Sequence, residues 1–154
     1  MMQKQSISSL SNRRSDCPIA FGLDIFGDRW TLLILRDILF YSKTRFSDFA
    51  VDEGISTNIL AERLARLERA GLVTRQRDDV QKNQNIYRAT DIGLRIAPVL
   101  LEMAVWGLQN DKQTPISRAF IQRLRTNRDE VVSEIINAVA NGEFEKYQKE
   151  HMGL

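Results

Sequence analysis

The 154 residues predict a mainly α chain carrying one small β-hairpin, an α+β class, and three observations point there. From Ile55 to Val73, leucines recur at helical spacing between a start signal and a stop signal. Immediately after it, LVTRQR and IYRAT alternate as short strands do, on either side of the polar run DDVQKNQN. Two further stretches read as helices: Arg29 to Phe40, apolar around most of a helical circumference, and Thr90 to Asn110, strongly apolar.

In chain order, the residues to about Ser15 are polar and serine-rich and read as a flexible arm. Pro18 suits the first turn of a helix, which Gly27 breaks. RWTLLILRDILF then reads as the helix at the centre of the core. A short helix is expected in RFSDFAV, ended by Gly54, so that a turn joins it to the next helix. That next helix, in ISTNILAERLARLERAGLV, has Ser56 at the cap position, Gly71 where a left-handed residue is favoured, and Leu60, Leu64 and Leu67 on one face. Burying each leucine is worth about 1.5 to 3 kcal/mol, against a few tenths for an exposed charge pair, so the leucines decide which face goes inward.

The opposite face presents Asn58, Ala61, Glu62, Ala65, Arg66 and Arg69, with Thr57 and Arg63 at its margins. Small and hydrogen-bonding residues come first and cations behind them. That order suits a major-groove reader, whose first turns meet base edges while arginines reach phosphates; a solvated amphipathic face is the alternative. Helix, turn, helix and hairpin together describe a winged helix-turn-helix. Lys82 at the hairpin tip, with Arg77 and Arg88 on its arms, supplies cations for a minor groove or a backbone, and Asp78 and Asp79 at the base of the tip oppose them.

The apolar segment from Thr90 to Asn110 is expected as one helix kinked near Pro98, with more apolar surface than a monomer readily covers. Beyond it, Thr114 and Pro115 look like a helix start for Ile116, Phe120 and Leu124. A further helix carries Val131, Val132, Ile135 and Val139 and stops at Asn141 and Gly142. The expected organisation is an arm over 1–15, a winged helix-turn-helix domain with dimerisation helices over 16–111, and a C-terminal helical extension over 112–154.

Composition narrows the function. One cysteine and one histidine leave no cluster for a metal site, and no carboxylate pair, glycine-rich phosphate loop or nucleophile–base spacing marks an enzyme or a cofactor. No apolar run approaches the roughly 18 residues of a membrane span, and the N-terminal stretch lacks the apolar centre of a signal peptide, so a cytoplasmic protein is expected. The net charge of +2 is too small to argue a nucleic-acid partner from bulk electrostatics. Sixteen of the 22 basic residues are arginine, however, and the guanidinium fork suits phosphate better than a point charge.

From Cys17 to about Gly107 the chain resembles the HxlR-type transcriptional regulators, winged-helix proteins related to the MarR group. The resemblance runs in order through CPIAFGLDIFGDRWTLLILRDILF, RFSDF, GISTNILAERLARLERAGLVTR and IYRATDIGLRIAPVLLEMAVWG. Two departures are a hairpin without the family's prolines and a stretch beyond about Asp111 that matches no family pattern. The resemblance implies a homodimer on double-stranded DNA with an inverted-repeat operator, the Ile55 to Ala70 helix as reader and the Leu72 to Ala89 hairpin as wing. The DNA-facing set is then Ser56, Thr57, Asn58, Glu62, Arg63, Arg66, Arg77, Lys82 and Arg88, and the dimer seam includes Leu94, Leu101, Trp106 and Leu108. Some members sense oxidants or electrophiles through a cysteine matching Cys17. Here Pro18 and the nearby Arg13 and Arg14 favour a thiolate while Asp16 opposes it, and a packing cysteine is the other reading. An oxidant or a small molecule is the expected effector. A winged-helix protein-interaction module without specific DNA binding is the alternative function.

Overall fold

The computed structural model describes residues 15–49, 51, 53–111, 113 and 116–153. The expected arm, with Arg13 and Arg14, and the Thr114–Pro115 helix start lie outside the described residues. The chain forms two compact units, one running up to Ile38 and through Lys43–Leu94, the other comprising Leu39–Ser42 and the chain from Arg95 on. Its class is the expected one, mostly helical with a two-stranded antiparallel hairpin.

The first unit begins with α1 (Pro18–Phe26), whose proline stands in the first turn. α2 (Thr31–Leu39) follows, started by Asp28, whose carboxylate accepts from the Trp30 and Thr31 amides at 2.9 and 3.0 Å. Ile34 and Leu35 are fully buried, as the all-round apolar pattern of α2 requires. The short helix expected in RFSDFAV is a single 3-10 turn among the described residues, Phe46–Asp48. Arg45 ahead of it instead bridges to Ile86, and the Tyr87 amide donates to Thr44 O at 2.8 Å, so this segment is drawn out as a third extended strip beside the hairpin. Phe49 then packs edge-on to Tyr87, ring centroids 5.9 Å apart.

α3 (Thr57–Arg69) has the anticipated limits. The Ser56 hydroxyl accepts from the Ile59 amide at 3.4 Å, and Leu60, Leu64 and Leu67 are buried. At its C-terminus the Leu72 amide returns to Leu67 O and the Gly71 amide to Glu68 O, with Gly71 at φ 67. This paired arrangement satisfies carbonyls that otherwise end the helix unbonded, and the left-handed residue it needs is glycine. β1 (Val73–Arg77) and β2 (Asn85–Ala89) pair with Val73 opposite Ala89 and Arg77 opposite Asn85.

The expected single helix over Thr90 to Asn110 is in fact two, α4 (Asp91–Leu94) and α5 (Ala97–Asn110). Pro98 explains the break: its ring excludes the carbonyl four residues back, that of Leu94, and it lacks the amide that would continue the ladder. In the first turn of α5 it costs nothing. α4 is held at its start by Thr90, whose hydroxyl donates to Gly71 O at 2.7 Å and accepts from the Gly93 amide at 3.1 Å. Gly93 itself lies so close to β1 that a Cβ there would overlap the Leu72 carbonyl oxygen.

In the second unit, α5, α6 (Arg118–Thr126), α7 (Arg128–Ala140) and α8 (Phe144–Tyr147) lead into a π-helical turn, Gln148–Met152. Ser117 caps α6 by accepting from the Phe120 amide at 3.1 Å. The amphipathic helices bury Phe120, Leu124, Val131 and Ile135 together with Phe144. Polar order is added by Glu134, which is paired with Arg123 and accepts from the Tyr147 hydroxyl at 2.9 Å.

Candidate nucleic-acid interface

The surface of interest is the outer side of α3 and the hairpin, both in the first unit. With the leucines inward, Thr57, Asn58, Ala61, Glu62 and Arg69 are exposed, as is Ser56 at the cap. A hydrogen-bonding end, a small-residue middle and a cation thus share one face. An ion-pair cluster that local pattern does not reveal ties α2 to the turn before α3. Asp37, fully buried on α2, accepts from Arg36 at 2.6 Å and from Lys43 at 3.1 Å, and Arg36 reaches Glu53 in the turn before α3 at 2.6 Å. Breaking one member of such a cluster leaves a buried charge uncompensated, which costs about 3 to 5 kcal/mol. The Arg36 hydrogen bond, first among its influences, holds the Glu53 carboxyl below the usual range.

Arg63 and Arg66 differ from the rest of the expected DNA-facing set. Arg63 Nε lies 2.9 Å from Asp28 Oδ1 and its guanidinium also meets Glu62. Arg66 lies 3.8 Å from Asp28 Oδ2 and donates to the Asp24 carbonyl oxygen. Both arginines are half-buried, turned back toward α1 and the α1–α2 junction. Burial pushes the Asp28 carboxyl up, but bonds from Thr31, Trp30 and Arg63 outweigh it and leave the group below its ordinary value.

On the hairpin, the register puts Arg75, Arg77, Tyr87 and Asn85 on one face and Thr74, Gln76, Ile86 and Arg88 on the other. Arg77 and Arg88 are both exposed, yet they point to opposite sides, so they do not form one cationic strip. Lys82 is exposed near the tip, beside the strongly exposed Val80. Asp78, expected to oppose these cations, is instead turned inward. Its Oδ1 accepts from the Val80 and Gln81 amides at 2.8 and 3.1 Å and its Oδ2 from Arg45 at 3.3 Å. Bonds from the Gln81 and Val80 amides hold its carboxyl below the usual range, so this charge is spent on the turn.

Of the expected seam residues, Leu94 is exposed and Leu108 half-buried, Trp106 is 69% exposed, and Leu101 is buried in its own chain at 5%. Two residues not expected there, Val99 and Met103, are exposed at helical spacing with Trp106 along α5. On α1, Ile19 and Leu23 are likewise exposed one turn apart. Cys17 is exposed at the N-cap of α1, its amide donating to the Ser15 hydroxyl at 3.1 Å. Among the described residues no group of side chains is arranged to hold a metal ion, and no helix is long and apolar enough to cross a membrane.

The model of the HxlR-like helix-turn-helix family matches residues 25–115. A protein of Mycobacterium tuberculosis named as an uncharacterized HTH-type transcriptional regulator is 32% identical over 102 residues, 66% of this chain and 64% of that one. This chain therefore spans somewhat under two-thirds of that relative's length. Three solved structures align well. PA1607, described as a candidate transcription factor, is 34% identical with a TM-score of 0.60, covering 68% of this chain and 72% of its own. A MarR-family regulator from Porphyromonas gingivalis is 26% identical with a TM-score of 0.56, covering 65% and 98%. The redox regulator HypR in its oxidized form is 31% identical with a TM-score of 0.51, covering 62% and 99%.

Proposed function

The chain belongs to the HxlR-like helix-turn-helix family, and from that membership we propose that it is a transcriptional regulator that binds duplex DNA as a homodimer on an inverted-repeat operator. The observation that carries the reading is the outer face of α3. Thr57 and Asn58 at its capped, exposed start are suited to base edges in a major groove, while three buried leucines hold the helix from behind. Lys82, Arg77 and Arg88 on the hairpin act on the backbone or the adjacent minor groove, with Arg77 and Arg88 serving different sides. Ser56 supports the reader by capping it, and Glu62, exposed in the second turn, is an acceptor for a cytosine amino group.

Dimerisation is supported by apolar surface left open on single helices. Val99, Met103 and Trp106 form a stripe on α5, and Ile19 and Leu23 a second on α1. Contiguous exposed apolar surface marks an interaction site, and a second copy of the chain is the partner an inverted repeat demands. Leu94 in the first unit and Leu108 in the second are further candidates for the seam, and Leu101 is buried within its own unit. Cys17, exposed at the mouth of α1, is the residue through which an oxidant acts on the dimer, a reading supported by the redox regulator among the similar structures.

The test is fluorescence anisotropy of the full chain on duplexes tiled across the DNA adjoining its own gene, against a shuffled duplex, over a salt series. A specific duplex bound at least tenfold more tightly than the shuffled one, with affinity falling as salt rises, is expected. Equal, salt-insensitive or absent binding to all duplexes overturns the reading in favour of a protein-interaction module.

A further inference from the structure

Two arginines of the helix assigned to the groove are occupied by an acid from elsewhere in the same unit. Arg63 and Arg66 share the Asp28 carboxylate, at 2.9 and 3.8 Å; Arg66 also donates to the Asp24 carbonyl, and Arg63 also meets Glu62 on its own helix. Their side chains keep only 21% and 35% of their exposure. Asp28 starts α2 by accepting from the Trp30 and Thr31 amides, accepts from the Thr31 hydroxyl at 2.5 Å, and neutralises charge on α3. The capping alone asks for no charge, because asparagine and serine cap as well as aspartate.

The charge has a consequence for a DNA-binding helix. Non-specific affinity comes almost entirely from cations that neutralise phosphates, each adding about 0.9 to the slope of log K against log salt. A non-specific complex slides and adapts, so any released cation finds a phosphate. In a complex whose register is set by base contacts, a cation adds affinity only where a phosphate already lies within its reach.

Resting on the regulator reading above, we propose that Asp28 sets the specificity of this protein: it holds Arg63 and Arg66 on the body of the first unit and withholds their charge from DNA phosphates, so that discrimination falls to the Thr57–Asn58 end of α3. Asp28 touches no DNA in this scheme. It is a positioning residue acting through two arginines.

The experiment uses the full chain and a shuffled 20-base-pair duplex, with binding read by anisotropy across a salt series and folding by thermal melting. Asp28→Asn keeps the Oδ1 that caps α2 and removes the charge; its amide nitrogen replaces the Oδ2 that accepts from the Thr31 hydroxyl, and the thermal melt reads that cost separately. The variant is expected to steepen the salt slope by about 1 to 2 and to tighten shuffled-duplex binding roughly tenfold per added contact near 0.1 M salt, lowering the specificity ratio. In the Arg63→Ala/Arg66→Ala background the same substitution is expected to leave the slope unchanged. An unaltered slope in Asp28→Asn, or an equal change in both backgrounds, overturns the proposal; the latter reduces Asp28 to a bulk charge. Arg66→Ala alone gives an independent reading that needs no change at Asp28. The slope of the parent is expected to survive it, and a slope lower by about 1 means Arg66 already holds a phosphate and overturns the proposal. If the parent binds no duplex, the regulator reading itself falls; if the parent binds with salt dependence and these variants behave otherwise than expected, only the role of Asp28 falls.

Discussion

The two faces of α3 make separable predictions, and the pair Leu64→Ala and Asn58→Ala tests them together. Leu64 is 1% exposed and lies between Leu60 and Leu67, themselves almost closed. Truncating a buried leucine costs about 2 to 5 kcal/mol, depending on how far the surroundings collapse into the gap. For a unit of this size that corresponds to a fall in melting temperature of at least roughly 8 °C. Asn58 is exposed on the opposite face, and alanine is the better helix former, so Asn58→Ala is expected to leave stability within about 0.5 kcal/mol or to raise it slightly. Its cost appears in binding: losing a bidentate base contact is worth about 1 to 3 kcal/mol, or about 5- to 150-fold in specific affinity, with little change on a shuffled duplex. Circular dichroism melts and anisotropy on both duplexes read the two effects. Loss of stability in Asn58→Ala comparable to that in Leu64→Ala would refute the division of faces. Unchanged operator affinity in both Asn58→Ala and Thr57→Ala would remove α3 as the reader.

Trp106→Glu is expected to convert a dimer at micromolar concentration into a folded monomer in sedimentation, because Trp106 is 69% exposed in the single chain and its loss should not unfold it; an unchanged dimer would rule out this stripe as the seam. Mild peroxide or diamide should yield a covalent dimer or a thiol adduct in the parent and not in Cys17→Ser, with a matching change in operator affinity only in the parent; identical responses would make Cys17 a packing residue. Burial, then the bond to Glu134, pushes the Tyr147 phenol up to about 12 from the ordinary 10.0. A group whose folded value is raised contributes stability that is intact below its unfolded value and lost as pH rises toward the folded one, so the parent should lose stability between about pH 10 and 12 more steeply than Tyr147→Phe. Parallel denaturation curves of the two chains across that window would contradict it.

Features carried by neighbouring residues were legible in the sequence. The limits of α3 follow from Ser56, the leucine spacing and Gly71; the hairpin follows from alternation around a polar run; the core role of α2 follows from its all-round apolar pattern. In each case the deciding interaction lies within one or two turns of chain. The family resemblance was carried by the same segments, and it is the family the chain belongs to.

Tertiary structure decided the partners of charged side chains and the facing of apolar ones. Asp78 reads as a repulsive charge at the wing; it accepts from the Val80 and Gln81 amides of its own turn, and Arg45, 33 residues earlier, adds a third bond at 3.3 Å. Arg63 and Arg66 read as DNA-facing from the sequence, and their pairing with Asp28, more than thirty residues away, exists only in the fold. Leu101 and Trp106 belong to one apolar segment, yet one is buried in its own chain and the other left open, because only one side of α5 packs within its unit. Helical and strand periods record which residues share a face, and caps record where an element ends. A charge bears no mark of its distant partner, because that pairing exists only after the backbone has brought the two groups together.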